Sequence, residues 1–271
     1  MLSKKRIGIL GAGHMAAALV RGLSSMKGAS VAASHHHREK AEVFSKTHGI
    51  PVLLDNRDLV QKSDVVILAV KPQALPKVLG EIAPALTKSH LVISIAAGIP
   101  LSWIRSKLKK PVILRAMPNL PATIQEGVTA IASEGKVSPE DLRTAEAIFA
   151  SVGKTVLLDE DQLDAVTGLS GSGPAFIFLI IDALADAGVK VGLSRDVSLL
   201  LAAQTVMGAS RLLIESKEHP GRLKDQVTSP GGTAIAGIHT LEQGGLRTTL
   251  INAVESATRR STELGRRYAG E

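Results

Sequence analysis

The stretch RIGILGAGHMAAALVRGL, residues 6–23, decides the fold because it places a strand, a glycine turn and a helix in succession. The apolar run at 6–10 predicts the strand, and MAAALVRGL predicts the helix. Between them, Gly11 suits a tight turn, Gly13 lets a pyrophosphate approach the backbone, and Ala16 allows close helix packing. In this context the G-x-G-x-x-A pattern predicts a dinucleotide site. The residues of this turn predicted to contact the cofactor are Gly11, Gly13, His14 and Met15.

Strand and helix patterns alternate up to about residue 160, and beyond it only helical patterns continue. The strands read as continuous apolar runs, which is typical of a parallel, doubly wound sheet buried on both faces. We therefore predict an α/β fold, with a dinucleotide-binding domain at 1–160 and an all-α domain at 161–271. The predicted strands are 6–10, 30–34, 64–70, 91–96 and 111–117. The helices predicted in the second domain are about 172–191, 194–216, 220–227, 232–243 and 246–266.

The end of the second predicted strand indicates which nucleotide binds. An NAD site usually carries an acid there for the ribose hydroxyls, but residues 33–40 read ASHHHREK and have no acid before Glu39. Ser34, the histidines and Arg38 suit a 2′-phosphate, so we predict NADP, with NADPH preferred and NADH left open. The histidines also fit a solvated loop. Three adjacent histidines cannot easily face one ion, so no metal is predicted.

Further cofactor contacts are expected where other strands end, because ligands of such sheets bind outside the carboxyl ends of strands. AVKPQ at 69–73 places Lys71 where it could reach a ribose or phosphate, although a plain turn is the other interpretation. The two prolines of AMPNLP at 116–121 stiffen a loop that could wall the nicotinamide pocket. The residues predicted to contact the cofactor at these ends are Ala69, Val70, Lys71, Pro72, Ala97, Met117, Pro118 and Asn119.

Composition narrows the class of partner. The net charge is +7, but the basic residues are scattered and aromatic residues make up 2%, so an anionic cofactor and substrate explain the charge better than nucleic acid does. Cysteine is absent, which excludes disulfides and thiolate catalysis. The start lacks the apolar region of a signal peptide, and the longest apolar run, AFIFLII, is too short to span a bilayer. We expect a cytoplasmic protein with no membrane partner.

Seven motifs, in this order and spacing, resemble the pyrroline-5-carboxylate reductase family over essentially the whole length. They are GAGHMA, AVKPQ, SIAAGI, RAMPNLP, TGLSGSGPAF, AGVKVGLSR and LKDQVTSPGGTAIAGI. The resemblance implies a Rossmann domain followed by an all-helical dimerisation domain that interlocks with a second subunit. It also implies a homodimer or a larger dimer-based oligomer. The implied reaction is the NADPH-dependent reduction of 1-pyrroline-5-carboxylate to L-proline.

The resemblance also implies where the substrate lies. Helix N-termini rich in small residues can hold a carboxylate through backbone N–H groups. Two segments qualify, TGLSGSGPAF at 167–176 and SPGGTAIAG at 229–237. Thr233 is the implied catalytic residue. The implied substrate-binding residues are Ser170, Gly171, Ser172, Gly173, Ser229, Gly231, Gly232 and Thr233.

The chain departs from the family pattern at two of these motifs. His14 stands where asparagine is usual, and Ala234 stands where a second hydroxyl residue is common near the imine nitrogen. The role of that hydroxyl then falls to Thr233 or to water, or it is missing. A reductase of a related cyclic imine and a weakly active NADP-binding sensor therefore remain as alternatives.

A rival enzyme class is the β-hydroxyacid dehydrogenases, which share a Rossmann domain followed by helices. Their G-x-x-G-x-G motif is matched by Gly168, Gly171 and Gly173. These enzymes need a lysine four residues after the last glycine to act as acid and base on an alcohol. Here that position is Ile177, which cannot transfer a proton. The substitution favours an imine reductase.

Overall fold

A computed structural model gives the fold of this chain and describes residue 2 and residues 5–26, 28–135 and 137–269. An eight-stranded sheet lies in its N-terminal part. The strands are β1 (Arg6–Leu10), β2 (Ser30–Ser34), β3 (Val52–Leu53), β4 (Val65–Leu68), β5 (Leu91–Ser94), β6 (Val112–Met117), β7 (Gly127–Ser133) and β8 (Gly153–Leu157). Their order is β3-β2-β1-β4-β5-β6-β7-β8. The first six run parallel, β7 is antiparallel to β6, and β8 is parallel to β7.

Helices connect most of these strands and dominate the chain after them. In the first part they are α1 (His14–Ser24), α2 (Arg38–His48), α3 (Asn56–Gln61), α4 (Leu75–Ile82), α5 (Leu101–Lys107), α6 (Pro139–Ala150) and α7 (Leu163–Val166). The later helices are α8 (Gly173–Lys190), α9 (Arg195–Ser216), α10 (Pro220–Val227), α11 (Thr233–Gln243) and α12 (Leu246–Ala269). The five helices predicted after residue 160 are confirmed, with small differences at their ends.

The sheet is buried on both faces, as its continuous apolar strands predict. In β4, Val66 and Leu68 pack into one hydrophobic cluster, and Ile67 packs into the cluster on the opposite face. All three side chains are fully buried. Because each buried aliphatic side chain of this size contributes roughly 1.5–3 kcal/mol, these two clusters hold the sheet and its helices together.

The five predicted strands are confirmed, and the sequence missed three others, β3, β7 and β8. Strand β3 has two residues, too few to show a pattern. Strand β7 reads GVTAIAS, and its small residues carry little β signal. Strand β8 lies at the edge of the sheet and is mostly exposed, so it lacks the apolar run of a buried strand. These last two strands extend the doubly wound sheet.

The contacts within the chain group it into two compact units. The first unit comprises the chain up to Ser172 together with the part from Glu255 onward, and the second comprises Gly173–Val254. A polar network within the first unit holds the end of α12. Asp164 accepts hydrogen bonds from the hydroxyls of Ser261 (2.6 Å) and Thr262 (2.9 Å), which ties the end of α12 to the sheet side.

The second unit is built from α8 to α11 and the beginning of α12. Helices α8 and α9 pack closely at Gly188, where an added Cβ would lie 2.5 Å from the Ser198 hydroxyl oxygen. Many large apolar side chains of this unit face outward, including Leu179 (70% exposed) and Leu200 (67% exposed).

Two segments, 160–190 and 195–216, are long and apolar enough to cross a membrane by length and composition. The prediction that the apolar runs are too short to span a bilayer therefore does not hold for the length and composition of these two segments. It counted only the AFIFLII run, and alanines and glycines around that run extend the apolar length.

Candidate cofactor and substrate sites

A cavity of about 690 Å³ lies at the carboxyl ends of β1, β4 and β5. It is the place where open α/β sheets bind their ligands. The structure brings eight predicted cofactor residues to this cavity: Gly13, His14, Met15, Ala69, Val70, Lys71, Pro72 and Ala97. Residues that the sequence did not indicate also line it, among them Phe44 and His48 of α2 and Ile95 and Ala96 after β5.

The glycines of the first turn have the geometry that a dinucleotide requires. Gly11 adopts a φ of +108°, and an added Cβ would lie only 2.7 Å from the carbonyl oxygen of Ala69. Around Gly13, in contrast, an added Cβ would meet nothing within 4 Å, so this backbone is open to a ligand. Gly13 is also the N-cap of α1, and no side chain caps the helix. Its free N–H groups and this open backbone fit a pyrophosphate.

The structure corrects the predicted role of Ser34. Its side chain is 1% exposed, and its hydroxyl donates a hydrogen bond to Asn56 Oδ1 over 2.6 Å. Asn56 Nδ2 in turn donates to Glu81 Oε2 over 2.9 Å. Ser34 therefore holds Asn56 in place and does not face a ligand directly. Asn56 went unnoticed because it follows the two-residue strand β3, which the sequence did not reveal.

Positive charge surrounds the start of α2, as the 2′-phosphate prediction requires. A cavity of about 470 Å³ is lined there by exposed residues His36, His37, Arg38, Glu39 and Lys40. The histidine rings stack, with centroids of His35 and His36 5.0 Å apart. Burial lowers the pKa of His35, and the neighbouring His36 lowers it further. Arg38 and Lys40 therefore supply the permanent charge. Within the described part of the chain, no cluster of three potential metal ligands is found.

The loop after β6 packs on the glycine-rich segment at 167–171. Asn119 Nδ2 donates to the Ser170 carbonyl over 3.1 Å, and Asn119 Oδ1 accepts from the backbone N–H of Val128 over 2.9 Å. At Gly171, an added Cβ would lie 2.7 Å from Met117 Cε, so the methionine side chain lies close to this backbone. Met117 and Asn119 thus meet Ser170 and Gly171, as predicted residues of two different motifs. The Asn119 amide is engaged within the protein and positions this loop.

The helix predicted to start near residue 172 is confirmed, since α8 begins at Gly173, but the chain is already helical before it. Residues 167–171 form a π-helical turn between α7 and α8. The hydroxyls of Thr167 and Ser170 donate to the carbonyls of Leu163 (2.8 Å) and Val166 (3.1 Å), and the Ser172 N–H donates to the Thr167 carbonyl (2.8 Å). These groups are therefore not open to an anion. Single π turns are frequent at functional sites.

The second segment predicted to hold a carboxylate forms the start of α11, and one of its N–H groups differs from the prediction. Gly231 has a φ of +69°, and Gly232 is the N-cap of the helix. The N–H of Gly232 donates to the Ser229 carbonyl over 2.9 Å, so it is not the free donor that we predicted. Thr233 is the first helical residue and is exposed. Because the first N–H groups of a helix have no partner within it, Thr233 offers a backbone donor beside its hydroxyl.

Known proteins similar to this chain cover it almost completely. A family model described as pyrroline-5-carboxylate reductase dimerisation matches residues 160–264, and one described as NADP oxidoreductase, coenzyme F420-dependent, matches 6–98. The pyrroline-5-carboxylate reductase of Methanosarcina acetivorans is 46% identical over 98% of this chain and 100% of its own length. This chain belongs to the pyrroline-5-carboxylate reductase family. The Synechocystis member is 45% identical over 97% of this chain and 99% of its own length.

Solved structures of the same family have the same fold. The pyrroline-5-carboxylate reductase of Coxiella burnetii superposes with a TM-score of 0.90 at 37% identity, covering 96% of this chain and 98% of its own. The pyrroline carboxylate reductase of Plasmodium falciparum, solved with NADP bound, superposes with a TM-score of 0.87 at 32% identity. That match covers 98% of this chain and 100% of the Plasmodium chain.

Proposed function

We propose that this family member reduces 1-pyrroline-5-carboxylate to L-proline with NADPH, as a cytoplasmic homodimer or a larger assembly of such dimers. The observation that carries the proposal is family membership over essentially the full length. The open backbone at Gly13, after the carboxyl end of β1, agrees with it. The match of residues 160–264 to a dimerisation family supports the assembly. Use of NADPH and the absence of cysteine fit the reducing interior of a cell.

The sheet unit carries the proposed cofactor site. Bound NADPH would supply the hydride for the imine carbon. The open backbone at Gly13 and the N–H groups of α1 would hold the pyrophosphate. Arg38 and Lys40 would attract the 2′-phosphate, and Lys71 and Pro72 would contact the ribose side of the cavity. The NADP bound to the Plasmodium relative supports this choice of cofactor.

The start of α11 carries the proposed substrate carboxylate site. Its donors would be the backbone N–H groups of Gly231 and Thr233 and the hydroxyls of Ser229 and Thr233. The dipole of the helix adds roughly 0.3–1 kcal/mol for an anion at such a terminus. Ala234 brings a methyl group next to Thr233. The Thr233 hydroxyl, or a water that it holds, would then contact the imine nitrogen.

Reduction of an imine demands little of the protein beyond position and electrostatics. Alcohol oxidation would instead need a proton acceptor on α8, where the dehydrogenases have lysine. The side chain in that position is Ile177, 42% exposed and without a titratable group. This residue supports imine reduction over oxidation of a hydroxyacid.

The direct test is NADPH oxidation with purified protein and 1-pyrroline-5-carboxylate, with proline identified as the product. We expect stoichiometric proline formation. Turnover of only a six-membered cyclic imine would identify a related reductase. NADPH binding without turnover of any cyclic imine would identify a sensor and contradict the proposal.

The Thr233→Val variant tests the carboxylate site. We expect the KM for the imine to rise by about tenfold or more at saturating NADPH, since one hydrogen bond to a charged group is lost. The affinity for NADPH should stay unchanged. Thr240→Val is the matched control, because Thr240 lies on the same helix and donates its hydroxyl to the Ala236 carbonyl (3.2 Å). Equal KM values in Thr233→Val, Thr240→Val and the wild type would place the carboxylate elsewhere.

A further inference from the structure

The end of α12 lies against two loops that line the cofactor cavity. Helix α12 begins within the second compact unit, and its residues from Glu255 onward belong to the sheet unit. Two of the cavity-lining segments, the one after β4 and the one after β5, are contacted by its last turns. None of the α12 residues lines the cavity itself. The helix therefore contacts the two loops outside the cavity that they line.

The contact with the loop after β5 is made by two glycines. Gly98 directly follows Ala96 and Ala97, which line the cavity, and it has a φ of +73°. A Cβ added at Gly265 would lie 2.7 Å from the carbonyl oxygen of Gly98. A Cβ added at Gly98 would lie 3.3 Å from Leu264 Cβ. Glycine on both sides lets the helix and the loop approach backbone to backbone.

The contact with the loop after β4 is made by Tyr268. Its hydroxyl donates to the carbonyl oxygen of Pro72 over 3.4 Å, and Pro72 lines the cavity. The Tyr268 ring meets Trp103 edge to face, with centroids 5.0 Å apart. Trp103 is buried in α5, the helix that follows the Gly98 loop. The Tyr268 side chain thus contacts the loop after β4 and the helix that follows the loop after β5.

A polar network fixes the helix end in this place. Asp164 accepts hydrogen bonds from the hydroxyls of Ser261 and Thr262. The Arg115 side chain, 6% exposed, lies 3.9 Å from Asp164 and 3.4 Å from Glu160. Because a buried charge without its partners is costly, the network resists displacement of the helix.

We propose that the end of α12, residues 261–268, positions the loops after β4 and β5 and thereby sets the affinity for NADPH. The inference rests on the proposed use of NADPH. A loop that is already held in its binding conformation loses less entropy when the ligand binds. Gly265 and Tyr268 are positioning residues, because they act through Gly98 and Pro72 and do not line the cavity.

Gly265→Ala in the full-length protein tests the proposal. Its Cβ must displace the Gly98 carbonyl, so we expect the dissociation constant for NADPH, measured by fluorescence titration, to rise by about five- to tenfold through lost pre-organisation. The KM for the imine at saturating NADPH should not change. Gly80→Ala is the matched control, because Gly80 is an exposed helical glycine of the same unit with nothing within 4 Å of an added Cβ. It should bind NADPH like the wild type.

A second variant, Tyr268→Ala, approaches the same loops without inserting atoms. It removes the contacts to Pro72 and Trp103, and we expect a rise of about threefold in the NADPH dissociation constant. This variant still tests the role of the α12 end in NADPH binding if Gly265→Ala fails to fold. A folded variant at either position that binds NADPH as tightly as the wild type would overturn the proposal. Failure of the wild type to reduce the imine would reject the proposed activity, and the NADPH titrations would still test the helix.

Discussion

The sheet unit and the helical unit differ in what they bury. In the sheet unit, Leu19, Ile67 and Leu79 are fully buried, as are many other large side chains. Among the described residues of the helical unit, 173–254, the buried side chains are small: Ala185, Ser198 and Ala202. Many of its large apolar side chains are exposed instead, as for Leu179 and Leu200. The first unit has its own core, and the second lacks one of comparable size.

This difference shows where each unit obtains its stability. Exposed apolar surface on this scale marks an interaction surface. Length and composition alone would also allow a membrane for α8 and α9, but both helices fall within the match to a dimerisation family. We therefore expect a second copy of the chain to bury this apolar surface. The sheet unit should keep its cofactor site in the absence of the second copy. The helical unit should depend on the second copy for its stability.

The largest expected effect comes from placing a charge on the exposed face of α8. Leu179→Lys adds an unpaired charge to a surface that the proposed dimer buries, which costs several kcal/mol. We expect the dimer dissociation constant, measured by sedimentation, to rise on the order of 100-fold or more.

Val43→Lys is the control for this variant. Val43 lies on α2 of the sheet unit and is 64% exposed, close to the 70% of Leu179. Equal exposure predicts an equal effect only if both side chains face water in the assembled protein. Unchanged assembly in both variants would contradict the inference that the exposed face of α8 is buried in a dimer.

The sequence predicted the sheet well because buried parallel strands are continuous apolar runs that need no knowledge of their partners. It missed β3, β7 and β8, which are short, rich in small residues or at the edge. At the cofactor site, the glycine turn and the strand ends were predictable from local chemistry. The Ser34–Asn56–Glu81 chain was not, because it joins three segments that only the fold brings together.

The same limit explains the errors at the substrate segments. Glycines and serines at 167–173 indicate a break in a helix, and the sequence pattern cannot show that a π turn carries the helix through. Likewise, the bond from the Gly232 N–H to Ser229 depends on the local turn geometry. Hydrogen-bond partners of this kind follow from backbone conformation and not from residue type.

A second expected effect is confined to the sheet unit. Arg38→Glu reverses a charge at the proposed 2′-phosphate site, and a charge-assisted hydrogen bond there is worth roughly 1.5–3 kcal/mol. We expect NADPH binding to weaken by about 10- to 100-fold, NADH binding to change far less, and assembly to stay intact. Arg143→Glu, an exposed change of equal charge on α6, is the control. Equal losses for both cofactors would mean that Arg38 does not read the 2′-phosphate.

The smallest expected effect concerns acid stability, again in the sheet unit. The hydrogen-bonded Arg6 guanidinium, 2.6 Å away, lowers the pKa of Asp64 from 3.8 to about 2. Because the folded pKa is the lower one, the pair stabilises the fold above pH 3.8, and this contribution is lost as the pH falls toward 2. The pair is largely exposed to solvent, so screening makes this contribution to stability small.

Asp64→Asn tests this contribution through unfolding at a series of pH values. We expect the variant to be less stable than the wild type at pH 6 and nearly equal to it at pH 2. A constant difference across this range would show that the pair contributes nothing through titration. The effect should also be independent of protein concentration, because both residues lie in the sheet unit.

We expect that the helical unit needs a second copy of the chain and that the active enzyme is this assembly. Light scattering on the wild type at micromolar concentration, with NADPH oxidation by 1-pyrroline-5-carboxylate measured on the same samples, tests it most directly. We predict a dimer or a multiple of dimers that carries the activity, with activity falling as dilution produces monomers. A stable monomer that reduces the imine at full rate would show that the helical unit does not need a second copy.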